Sequence, residues 1–576
     1  MTAAAAGGAV QATFAATLVD EWVRAGVGHV VVSPGSRSAP LAVAVAAEGR
    51  LAVHVVLDER SAAFVALGAA KATGMPAVVV TTSGTAAVEL HAAVVEAHQS
   101  RVPLVVCTAN RPPELQGVGA PQTVDQTRLF GSAVRWFAQP GVADAASSST
   151  WRSLGARAVA EALGPPPGPV HLDLAFRDPL IAAPHPLPPA RPDGPWHRVL
   201  AVPPPPAASD VDDVAGALDV GRGVIVAGAG AGDVVAVHAL AKLLGWPVLA
   251  DPPSGCRVPG ETTVAAFDAV LRQEPFARSH RPQVVLRLGA APASKVLSQW
   301  MAGSDAHQVL IDPDGAWIDP ERTATMVVRG DPGAWCRALL HRAGRDTGRS
   351  RGDWSGSWAE VEVAAQNAIQ AVLDRHPETT EPGVARTFAG ALPAGTTLVV
   401  SSSMPVRDLE WYARPREGLR VLANRGANGI DGVVSTAVGV ALASEGHHGL
   451  LIGDLAFLHD TNGLLGLAQR GVDLTVVVVD NHGGGIFSFL PPATALARDR
   501  FELLFATPHG VDLAALARLH ALEATAVDEA AALGPAVEEA TAAGGVRVIV
   551  ATTERDANVA VHDEIHTEVA TALGRL

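Results

Sequence analysis

Two oxygen-bearing side chains, Asp454 and Asn481, stand at the ends of two short apolar runs in the last third of the chain. Their separation of 27 positions (481 − 454) leaves room for one helix and one strand. The carboxyl ends of neighbouring parallel strands meet at one sheet edge, so we expect these side chains to share a site. Their oxygens suit a hard cation such as Mg²⁺, which takes further ligands from phosphate and water. The glycine run at 483–485 lets backbone approach a phosphate closely and offers a carbonyl to the metal.

Two histidines, His459 and His482, lie in the same stretch and raise the alternative of a zinc site. Zinc is held by three or four His, Cys or carboxylate ligands at characteristic spacing. No third ligand stands at such a spacing in the sequence, so the sequence favours the magnesium interpretation.

Another candidate acid, Glu59, follows an apolar run and precedes the helical stretch Ser61–Thr73. This position predicts a carboxylate at the carboxyl edge of a first sheet, where ligands bind in doubly wound folds. The alternative is structural, because Asp58 or Glu59 at a helix N-terminus can serve as a cap. The stretch Thr81–Thr85 (TTSGT) ends a further strand at the same edge with small hydroxyl residues and a glycine.

Four arginines stand just past predicted strand ends, namely Arg37, Arg111, Arg407 and Arg425. Arginine binds carboxylates through paired hydrogen bonds and stays charged when partly desolvated. In a chain of net charge −15, arginines gathered at one sheet edge predict a small substrate with several carboxylates. The alternative for each arginine is an ion pair at the surface or between subunits.

The elements that must position these residues follow a regular alternation of β-branched runs and Ala/Leu-rich helical stretches, which is typical of doubly wound sheets. We therefore predict an α/β protein with three doubly wound domains and mainly parallel sheets. The predicted buried strands are 30–32, 53–57, 77–81 and 104–108 in the first domain, and further strands are predicted at 398–401, 449–452, 474–479 and 547–551 in the third. The predicted domains are 1–183, 207–341 and 358–576, joined by a proline-rich linker at 184–206 and a Gly-, Arg- and Ser-rich linker at 342–357.

The composition narrows the class of protein. A chain of 576 residues with 48% apolar and 18% charged residues is globular and too long for one core. The net charge of −15 and the lack of a basic run argue against a nucleic-acid partner. Three scattered cysteines suit a reducing cytosol. The N-terminus lacks the basic region of a signal peptide, and the apolar runs are too short to span a membrane. We therefore expect a cytoplasmic protein.

The stretch 449–490, with Gly-Asp at 453–454 and Asn at 481, resembles the diphosphate motif of thiamine-diphosphate enzymes. The resemblance implies thiamine diphosphate with Mg²⁺ or Mn²⁺ as cofactors, and Asp454, Asn481 and the Gly483 carbonyl as metal ligands. It implies that Glu59 is the catalytic glutamate that holds the cofactor's aminopyrimidine in its reactive tautomer. The three domains would then be the pyrimidine-binding, central and diphosphate-binding domains, in a homodimer or homotetramer with active sites between subunits. The further cofactor-binding residues that it implies are Ser83, Gly84, Asn428, Ile430, Leu455 and Gly484.

A narrower resemblance rests on motifs that occur in a fixed order: SPGSRS at 33–38, DER at 58–60, RPPEL at 111–115, NRGANGIDG at 424–432, and GDL with DNHGGGIF at 453–455 and 480–487. Together they are similar to those of 2-succinyl-5-enolpyruvyl-6-hydroxy-3-cyclohexene-1-carboxylate synthases of menaquinone biosynthesis. The similarity covers the first and third domains and, loosely, the middle one. It implies decarboxylation of 2-oxoglutarate and addition of the succinyl unit to isochorismate, two substrates that carry four carboxylates between them.

The same resemblance implies roles for the substrate-binding residues. Those implied to hold the succinyl part are Ser403, Arg407 and Arg425. Those implied to hold isochorismate are Ser36, Arg37, Arg111, Gln122 and Lys295. Ile430 would pack beneath the thiazolium, and Ile486 and Phe487 would line an apolar wall. The chain departs from the family pattern at Pro121, Val296 and Gly485, and we assign no acid or base to the addition step.

Other interpretations stay open at this point. The stretch 224–233 (VIVAGAGAGD), with Asp251 after the next run, resembles a dinucleotide-binding fingerprint, although its spacing is G-x-G-x-G instead of G-x-G-x-x-G. That leaves an NAD-dependent oxidoreductase as one alternative. A nearer one is another thiamine-diphosphate enzyme, such as an acetolactate synthase or a simple 2-oxo acid decarboxylase, against which the arginine set argues. A non-catalytic scaffold would be expected to lack Asp454, Asn481 or Glu59.

Overall fold

Three six-stranded sheets organise the chain, and every strand pair in them is parallel. The structure is a computed structural model that describes residues 3–199, 205–343 and 353–576. The predicted α/β class with three doubly wound sheets is therefore confirmed. The chain forms two compact units, the first of residues 1–201, 424–446 and 456–472 and the second of residues 202–423, 447–455 and 473–576.

The first sheet lies in the first unit and has the strand order β2-β1-β3-β4-β6-β5. Its strands are β1 (His29–Val32), β2 (Ala52–Val55), β3 (Ala77–Thr81), β4 (Leu104–Asn110), β5 (Trp136–Ala138) and β6 (Pro169–Ala175). Its helices are α1 (Ala3–Arg24), α2 (Ala39–Ala47), α3 (Glu59–Thr73), α4 (Thr85–Glu89), α5 (His91–Gln99) and α6 (Trp151–Leu163). Strands β3, β4 and β6 are buried along their whole length, as expected when both faces of a parallel sheet are covered.

One strand prediction is wrong in this sheet. The run 53–57 was expected to be a buried strand, but β2 ends at Val55, and Ala52, Val53 and Val55 are exposed. The reason is its place at the sheet edge, where only β1 pairs with it. An apolar run indicates a strand but does not distinguish an edge strand from a central one.

The second sheet has the order β12-β11-β10-β7-β8-β9. Its strands are β7 (Gly223–Ala227), β8 (Val248–Ala250), β9 (Thr263–Val264), β10 (Val284–Leu288), β11 (His307–Asp312) and β12 (Ala324–Arg329). Its helices are α7 (Ala208–Ala217), α8 (Val234–Leu244), α9 (Phe267–Leu271), α10 (Glu274–Ser279), α11 (Lys295–Ala302) and α12 (Pro332–Ala343). The glycine-rich loop after β7 packs against its own domain, because a Cβ on Gly228 would lie 1.7 Å from the carbonyl oxygen of Ala290. Close backbone packing therefore accounts for a glycine that also fits a dinucleotide fingerprint.

The third sheet has the order β14-β13-β15-β16-β18-β17. Its strands are β13 (Thr396–Val400), β14 (Leu419–Ala423), β15 (His448–Gly453), β16 (Leu474–Asp480), β17 (Glu523–Val527) and β18 (Val546–Thr552). The helices of this part of the chain are α13 (Trp354–Leu373), α14 (Glu381–Ala391), α15 (Met404–Tyr412), α16 (Val433–Ala443), α17 (Asp454–His459), α18 (Pro492–Ala495), α19 (Arg498–Phe501), α20 (Leu513–Leu519), α21 (Ala530–Ala543) and α22 (Arg555–Leu573).

The two predicted linkers are only partly described. Residues 184–199 form no helix or strand, whereas α12 extends to Ala343 and α13 begins at Trp354. Residues 200–204 of the first linker and 344–352 of the second lie outside the described residues. Within the part of the chain that the structure describes, no helix is both long and apolar enough to cross a membrane.

Within the first unit, α16 packs on α3 with its backbone almost in contact. A Cβ on Gly68 would lie 2.1 Å from the carbonyl oxygen of Thr436, and one on Gly439 would lie 2.0 Å from that of Val65. Only glycine permits so close an approach at these two positions. The contact therefore brings α16, together with the loop that precedes it, onto the first domain.

Candidate active site

The site begins at the carboxyl ends of β15 and β16, beside the point where the order of the third sheet reverses between β13 and β15. Asp454 is the first residue of α17 and is buried. Its Oδ1 accepts a hydrogen bond from the Leu455 amide at 2.6 Å, and its Oδ2 accepts one from the Gly483 amide at 2.7 Å. Asn481, directly after β16, is also buried. The hydrogen bond from Gly483 thus links the two strand ends, and Asp454 and Asn481 follow neighbouring parallel strands.

The side chain of Asn481 has one satisfied and one unsatisfied end. Its Nδ2 donates to Oε1 of Glu381 at 2.7 Å. Its Oδ1 is buried and has no hydrogen-bond partner among the described residues. A buried carbonyl oxygen without a donor is costly, so this atom calls for a ligand. An unpartnered amide oxygen at the end of the strand that neighbours the one ending at Asp454 fits the donor set of a hard cation.

The charges around this pair also favour a cation. Burial raises the pKa of Asp454, and the nearby Asp480 carboxylate acts in the same direction. Burial raises the pKa of Glu381 to about 8, with Asp408 and Asp454 adding to the effect. Carboxyl groups raise one another's pKa because like charges resist joint ionisation. A divalent cation among them would relieve that repulsion.

The glycine turn fits closely around the pair. Gly483 has φ +147°, and a Cβ there would lie 2.2 Å from the carbonyl oxygen of Ala506. The carbonyl oxygen of Gly483 accepts from the Gly485 amide at 3.0 Å and retains a second lone pair for a ligand. A Cβ on Gly485 would lie 2.4 Å from Nδ2 of Asn481. Glycines at both positions therefore leave the turn room to lie against the predicted metal ligands, and the Gly484 amide donates to Ala506 at 2.8 Å.

Two residues of this site were missed by sequence reasoning, Glu381 and His509. The Val511 amide donates to Nδ1 of His509 at 3.0 Å, so the ring proton lies on Nε2, which is 3.3 Å from Oδ2 of Asp454. His509 is therefore a hydrogen-bond donor to the Asp454 carboxylate. Neither residue belongs to a motif of the glycine turn, and only proximity in the fold reveals them.

The reason given against a zinc site at His482 is wrong. Potential ligand atoms of Asp480, His482 and His509 all lie within 4.8 Å of one another. Since Nδ1 of His509 accepts from the Val511 amide, Nε2 carries the ring hydrogen and is directed at Asp454. Neither ring nitrogen of His509 is then free to bind zinc. His459 is exposed, and its carbonyl oxygen accepts from Arg60 at 3.0 Å.

Glu59 is the first residue of α3 and is half-buried. The capping alternative applies to its neighbour, because Oδ1 of Asp58 accepts from the Ser61 amide at 2.9 Å. The helix N-terminus is thus capped by Asp58. Ser61 also lies 3.4 Å from Oδ1 of Asp460, within the same unit.

The carboxyl edge of the first sheet brings several predicted residues together at the order reversal between β1 and β3. Arg111 donates to Oγ of Ser83 at 3.1 Å and to the carbonyl oxygen of Pro121 at 3.2 Å. Gln122 donates from Nε2 to the Ser83 carbonyl at 3.1 Å, and Ser83 donates back to the Gln122 carbonyl at 3.0 Å. Gly84, at φ +84°, allows this approach, since a Cβ there would lie 2.8 Å from the Gln122 side chain.

A second arginine lies close to this group. Arg37 is 8% exposed, donates to the Phe176 carbonyl at 2.9 Å and lies 3.5 Å from Asp178, a largely exposed carboxylate. Burial and the positive charge of Arg37 lower the pKa of Arg111, while Asp178 raises it. Two guanidinium groups close enough to repel each other favour the binding of an anion between or beside them. Ser36 is exposed in the same loop as Arg37.

The loop 424–432 also lies in the first unit. Arg425 is exposed, and Ile430 is partly buried. Asn428 donates from Nδ2 to the Asp431 carbonyl at 2.9 Å, while its Oδ1 is buried without a partner among the residues described. This second orphaned amide oxygen marks the loop as a place where a ligand would bind.

The remaining predicted residues lie in the second unit. Ser403 has φ +72° at the start of α15, and Arg407 donates to its carbonyl at 2.7 Å. Ile486 and Phe487 are partly buried, and the Phe487 ring packs edge-on against Phe505 with centroids 5.4 Å apart. Lys295 is exposed at the first position of α11, whereas the residues predicted to share its role belong to the first unit.

Family models match all three parts of the chain. The N-terminal TPP binding domain of thiamine pyrophosphate enzymes matches residues 12–129, their middle domain matches 195–400 and their C-terminal TPP binding domain matches 403–551. Fold and site thus define a class of protein, the thiamine pyrophosphate (thiamine diphosphate) enzymes.

Individual relatives narrow this class. The chain is 45% identical to 2-succinyl-5-enolpyruvyl-6-hydroxy-3-cyclohexene-1-carboxylate synthase of Myxococcus xanthus over 97% of this chain and 98% of the relative. It is 43% identical to the synthase of that name from Chloroflexus aurantiacus, over 96% of this chain and 95% of the relative. With that from Geobacillus kaustophilus the identity is 41% over 98% of each chain. The chain belongs to the family of 2-succinyl-5-enolpyruvyl-6-hydroxy-3-cyclohexene-1-carboxylate synthases.

Proposed function

We propose that this enzyme decarboxylates 2-oxoglutarate and adds the succinyl unit to isochorismate, as a step of menaquinone biosynthesis. The observation that carries the choice of substrates is the placement of two arginines at the carboxyl edge of the first sheet, the buried Arg37 and the Arg111 that donates to Ser83 and Pro121. Arginine binds carboxylates through paired hydrogen bonds and stays charged when partly desolvated, so such a pair suits an anionic substrate. Asp178, 3.5 Å from Arg37, is a single and largely exposed carboxylate, and an acceptor with more than one carboxylate suits two arginines better than the small monocarboxylates of an acetolactate synthase.

In this proposal Asp454, Asn481 and the Gly483 carbonyl hold Mg²⁺ or Mn²⁺. The orphaned Oδ1 of Asn481 supports it, as does the repulsion among the neighbouring carboxyl groups. The residues proposed to contact thiamine diphosphate are Ser83, Gly84, Asn428, Ile430, Leu455 and Gly484. When bound, this cofactor supplies the acidic carbon and the electron sink that decarboxylation needs.

Glu59 is proposed to bind the ring nitrogen of the cofactor's aminopyrimidine and to share a proton with it. Its position supports this role, because Asp58 caps α3 and Glu59 is not needed for that purpose. The substitution Glu59→Gln would keep the shape and remove the exchangeable acid.

The substrate carboxylates are assigned to two groups of residues. Ser403, Arg407 and Arg425 are proposed to hold the succinyl part, and Ile486 and Phe487 to line its apolar side. Ser36, Arg37, Arg111, Gln122 and Lys295 are proposed to hold isochorismate. The isochorismate assignment is better supported for Arg111 and Gln122, which hydrogen-bond to Ser83, than for Lys295. Lys295 is exposed and belongs to another part of the chain.

We also propose a homodimer or homotetramer with active sites between subunits, and the domain boundaries 1–183, 207–341 and 358–576. A cytoplasmic location is proposed from the cysteines, since Cys107, Cys256 and Cys336 are all buried and unpaired. Light scattering of the purified protein in the presence of cofactor would measure the oligomeric state.

The proposed function is tested by supplying the protein with thiamine diphosphate, Mg²⁺ and 2-oxoglutarate, with and without isochorismate. Isochorismate absorbance and carbon dioxide are followed together. We expect isochorismate to disappear only in the complete mixture and the Glu59→Gln protein to lose activity by about 100-fold or more. Glu161→Gln is the matched control and should retain activity, because the Glu161 side chain in α6 is 37% exposed and pairs with Arg157. Carbon dioxide release without loss of isochorismate would favour a different thiamine-diphosphate decarboxylase.

A further inference from the structure

A buried carboxylate, Glu96 on α5, holds three consecutive backbone amides of the loop 424–432. Its side chain is 1% exposed. Oε1 accepts from the Gly426 amide at 3.1 Å, and Oε2 accepts from the amides of Ala427 at 2.7 Å and Asn428 at 2.9 Å. Successive amides directed at one anion form a concave anion-binding arrangement of the backbone. Here the anion belongs to the protein itself.

Other groups fix Glu96 in turn. Ser100 donates from Oγ to Oε1 at 2.5 Å, and Nζ of Lys71 lies 3.5 Å from the same oxygen. Lys71 is 8% exposed in its side chain and is one of only three lysines in the chain. Burial lowers the pKa of Lys71, and the Glu96 charge acts against that shift. The ion pair and the hydroxyl leave Glu96 little freedom, so the loop amides bind to a fixed point.

The loop is shaped for this contact. A Cβ on Gly426 would lie 2.7 Å from Oγ of Ser100, 2.8 Å from Cβ of Gln99 and 2.9 Å from Oε2 of Glu96. A side chain at position 426 would therefore push the loop away from the carboxylate. The contact therefore needs both the glycine at position 426 and the glutamate at position 96, which are 330 residues apart in the sequence.

The same loop carries residues of the candidate active site. Arg425 directly precedes the three bound amides, and Asn428, the third of them, has the orphaned Oδ1 described above. We propose that Glu96, supported by Lys71, is a positioning residue that fixes the backbone of 425–428 and thereby presents Arg425 to a carboxylate of the 2-oxo acid substrate. The second half of this inference rests on the function proposed above.

The test compares Glu96→Gln with a matched control, Glu21→Gln. Glu21 is also 1% exposed and lies in the same unit. It pairs with Arg152 at 2.9 Å, and none of the hydrogen bonds or ion pairs described for its side chain reaches the loop 424–432. In Glu96→Gln one acceptor oxygen becomes an NH2 donor facing backbone donors. We expect hydrogen exchange of the amides at 426–428 to speed up by about tenfold or more, and KM for 2-oxoglutarate to rise by about tenfold. In Glu21→Gln both quantities should stay within about threefold of wild type.

A second variant covers the case in which Glu96→Gln does not fold. Glu96→Asp keeps the charge beside Lys71 but withdraws the carboxylate from the loop by one methylene group, so both effects should appear with smaller size. Loop exchange no faster than in Glu21→Gln would overturn the positioning role. Faster exchange with an unchanged KM for 2-oxoglutarate would overturn the presentation of Arg425. Failure of the proposed function itself would appear separately, as a wild-type protein that consumes no 2-oxoglutarate, and loop exchange would still test the role of Glu96.

Discussion

Removal of the Glu381 carboxyl group should weaken metal binding, although in our proposal Glu381 does not touch the metal and acts through Asn481, one of its three ligands. Glu381 is 2% exposed and accepts the Nδ2 hydrogen bond of Asn481 at 2.7 Å. This contact decides which end of the amide faces the predicted metal position. In Glu381→Ala, Nδ2 is left buried without its acceptor, and the amide loses the contact that keeps its oxygen directed at the cation.

The size of the effect follows from the lost hydrogen bond. A buried donor without an acceptor costs about 1–3 kcal/mol, and 1.4 kcal/mol is about tenfold in an equilibrium constant. The dissociation constant for Mn²⁺ should therefore rise about 5- to 150-fold in Glu381→Ala. Burial and the neighbouring carboxyl groups raise the pKa of Glu381 to about 8, so the residue is mostly protonated at pH 7 before a metal binds. Glu381→Gln, which keeps a carbonyl acceptor, should bind Mn²⁺ within about threefold of wild type.

The assay is electron paramagnetic resonance of free Mn²⁺, titrated in the presence of saturating thiamine diphosphate. The matched control is Glu362→Ala, because Glu362 is similarly buried in the second unit and accepts from the Ala265 and Ala266 amides at 3.0 and 2.8 Å. This control should lower the melting temperature and leave Mn²⁺ affinity unchanged. A folded Glu381→Ala protein with wild-type Mn²⁺ affinity would refute the reasoning. Equal loss in both variants would show general loosening of the unit instead.

Two further predictions concern stability. Burial raises the pKa of Asp460 from 3.8 to about 6 against the hydrogen bonds from Ser435. The folded protein thus binds this proton more tightly than the unfolded chain, so the free energy of unfolding should fall by about 3 kcal/mol as pH rises from about 3 to about 7, and Asp460→Asn should remove that slope. Urea unfolding across this pH range checks it, and equal slopes would contradict it. Gly439→Ala should lower stability by about 1–3 kcal/mol, because its Cβ would lie 2.0 Å from the Val65 carbonyl oxygen. Gly390→Ala, in α14 with nothing within 4 Å, should be neutral or stabilising in the same thermal melts.

Much of the fold could be predicted because the signals are local. Apolar runs between helical stretches indicated the central strands, and their ends indicated that Asp454 and Asn481 follow neighbouring strands of one sheet. The edge position of β2 was missed, since the order of strands in a sheet depends on pairing between distant segments. The run 53–57 contains apolar residues whether or not a second neighbour covers it.

The supporting residues of the site could not be predicted for a related reason. Glu381 and Asn481 are 100 positions apart, and the Glu96 contact with Gly426 spans 330. A buried carboxylate at the start of α14 has the sequence appearance of a helix-capping glutamate. The residues predicted to bind cofactor and substrate belong to recognisable sequence motifs. The residues that orient them come from distant segments, which only the fold brings close. His509 is one of these orienting residues. It donates from Nε2 to Asp454 because its Nδ1 accepts a hydrogen bond from the Val511 amide.

The glycine contact between α3 and α16 has a consequence for the newly made chain. Gly68 and Gly439 are 371 positions apart (439 − 68), so the partner of α3 leaves the ribosome long after α3 itself. At about 5–20 residues per second, translation needs about 20–75 s to cover that distance. During this interval the face of α3 that receives α16 has no cover from its own chain. A nascent chain that stalls before residue 433 would present that face to solvent, to chaperones and to other copies of itself.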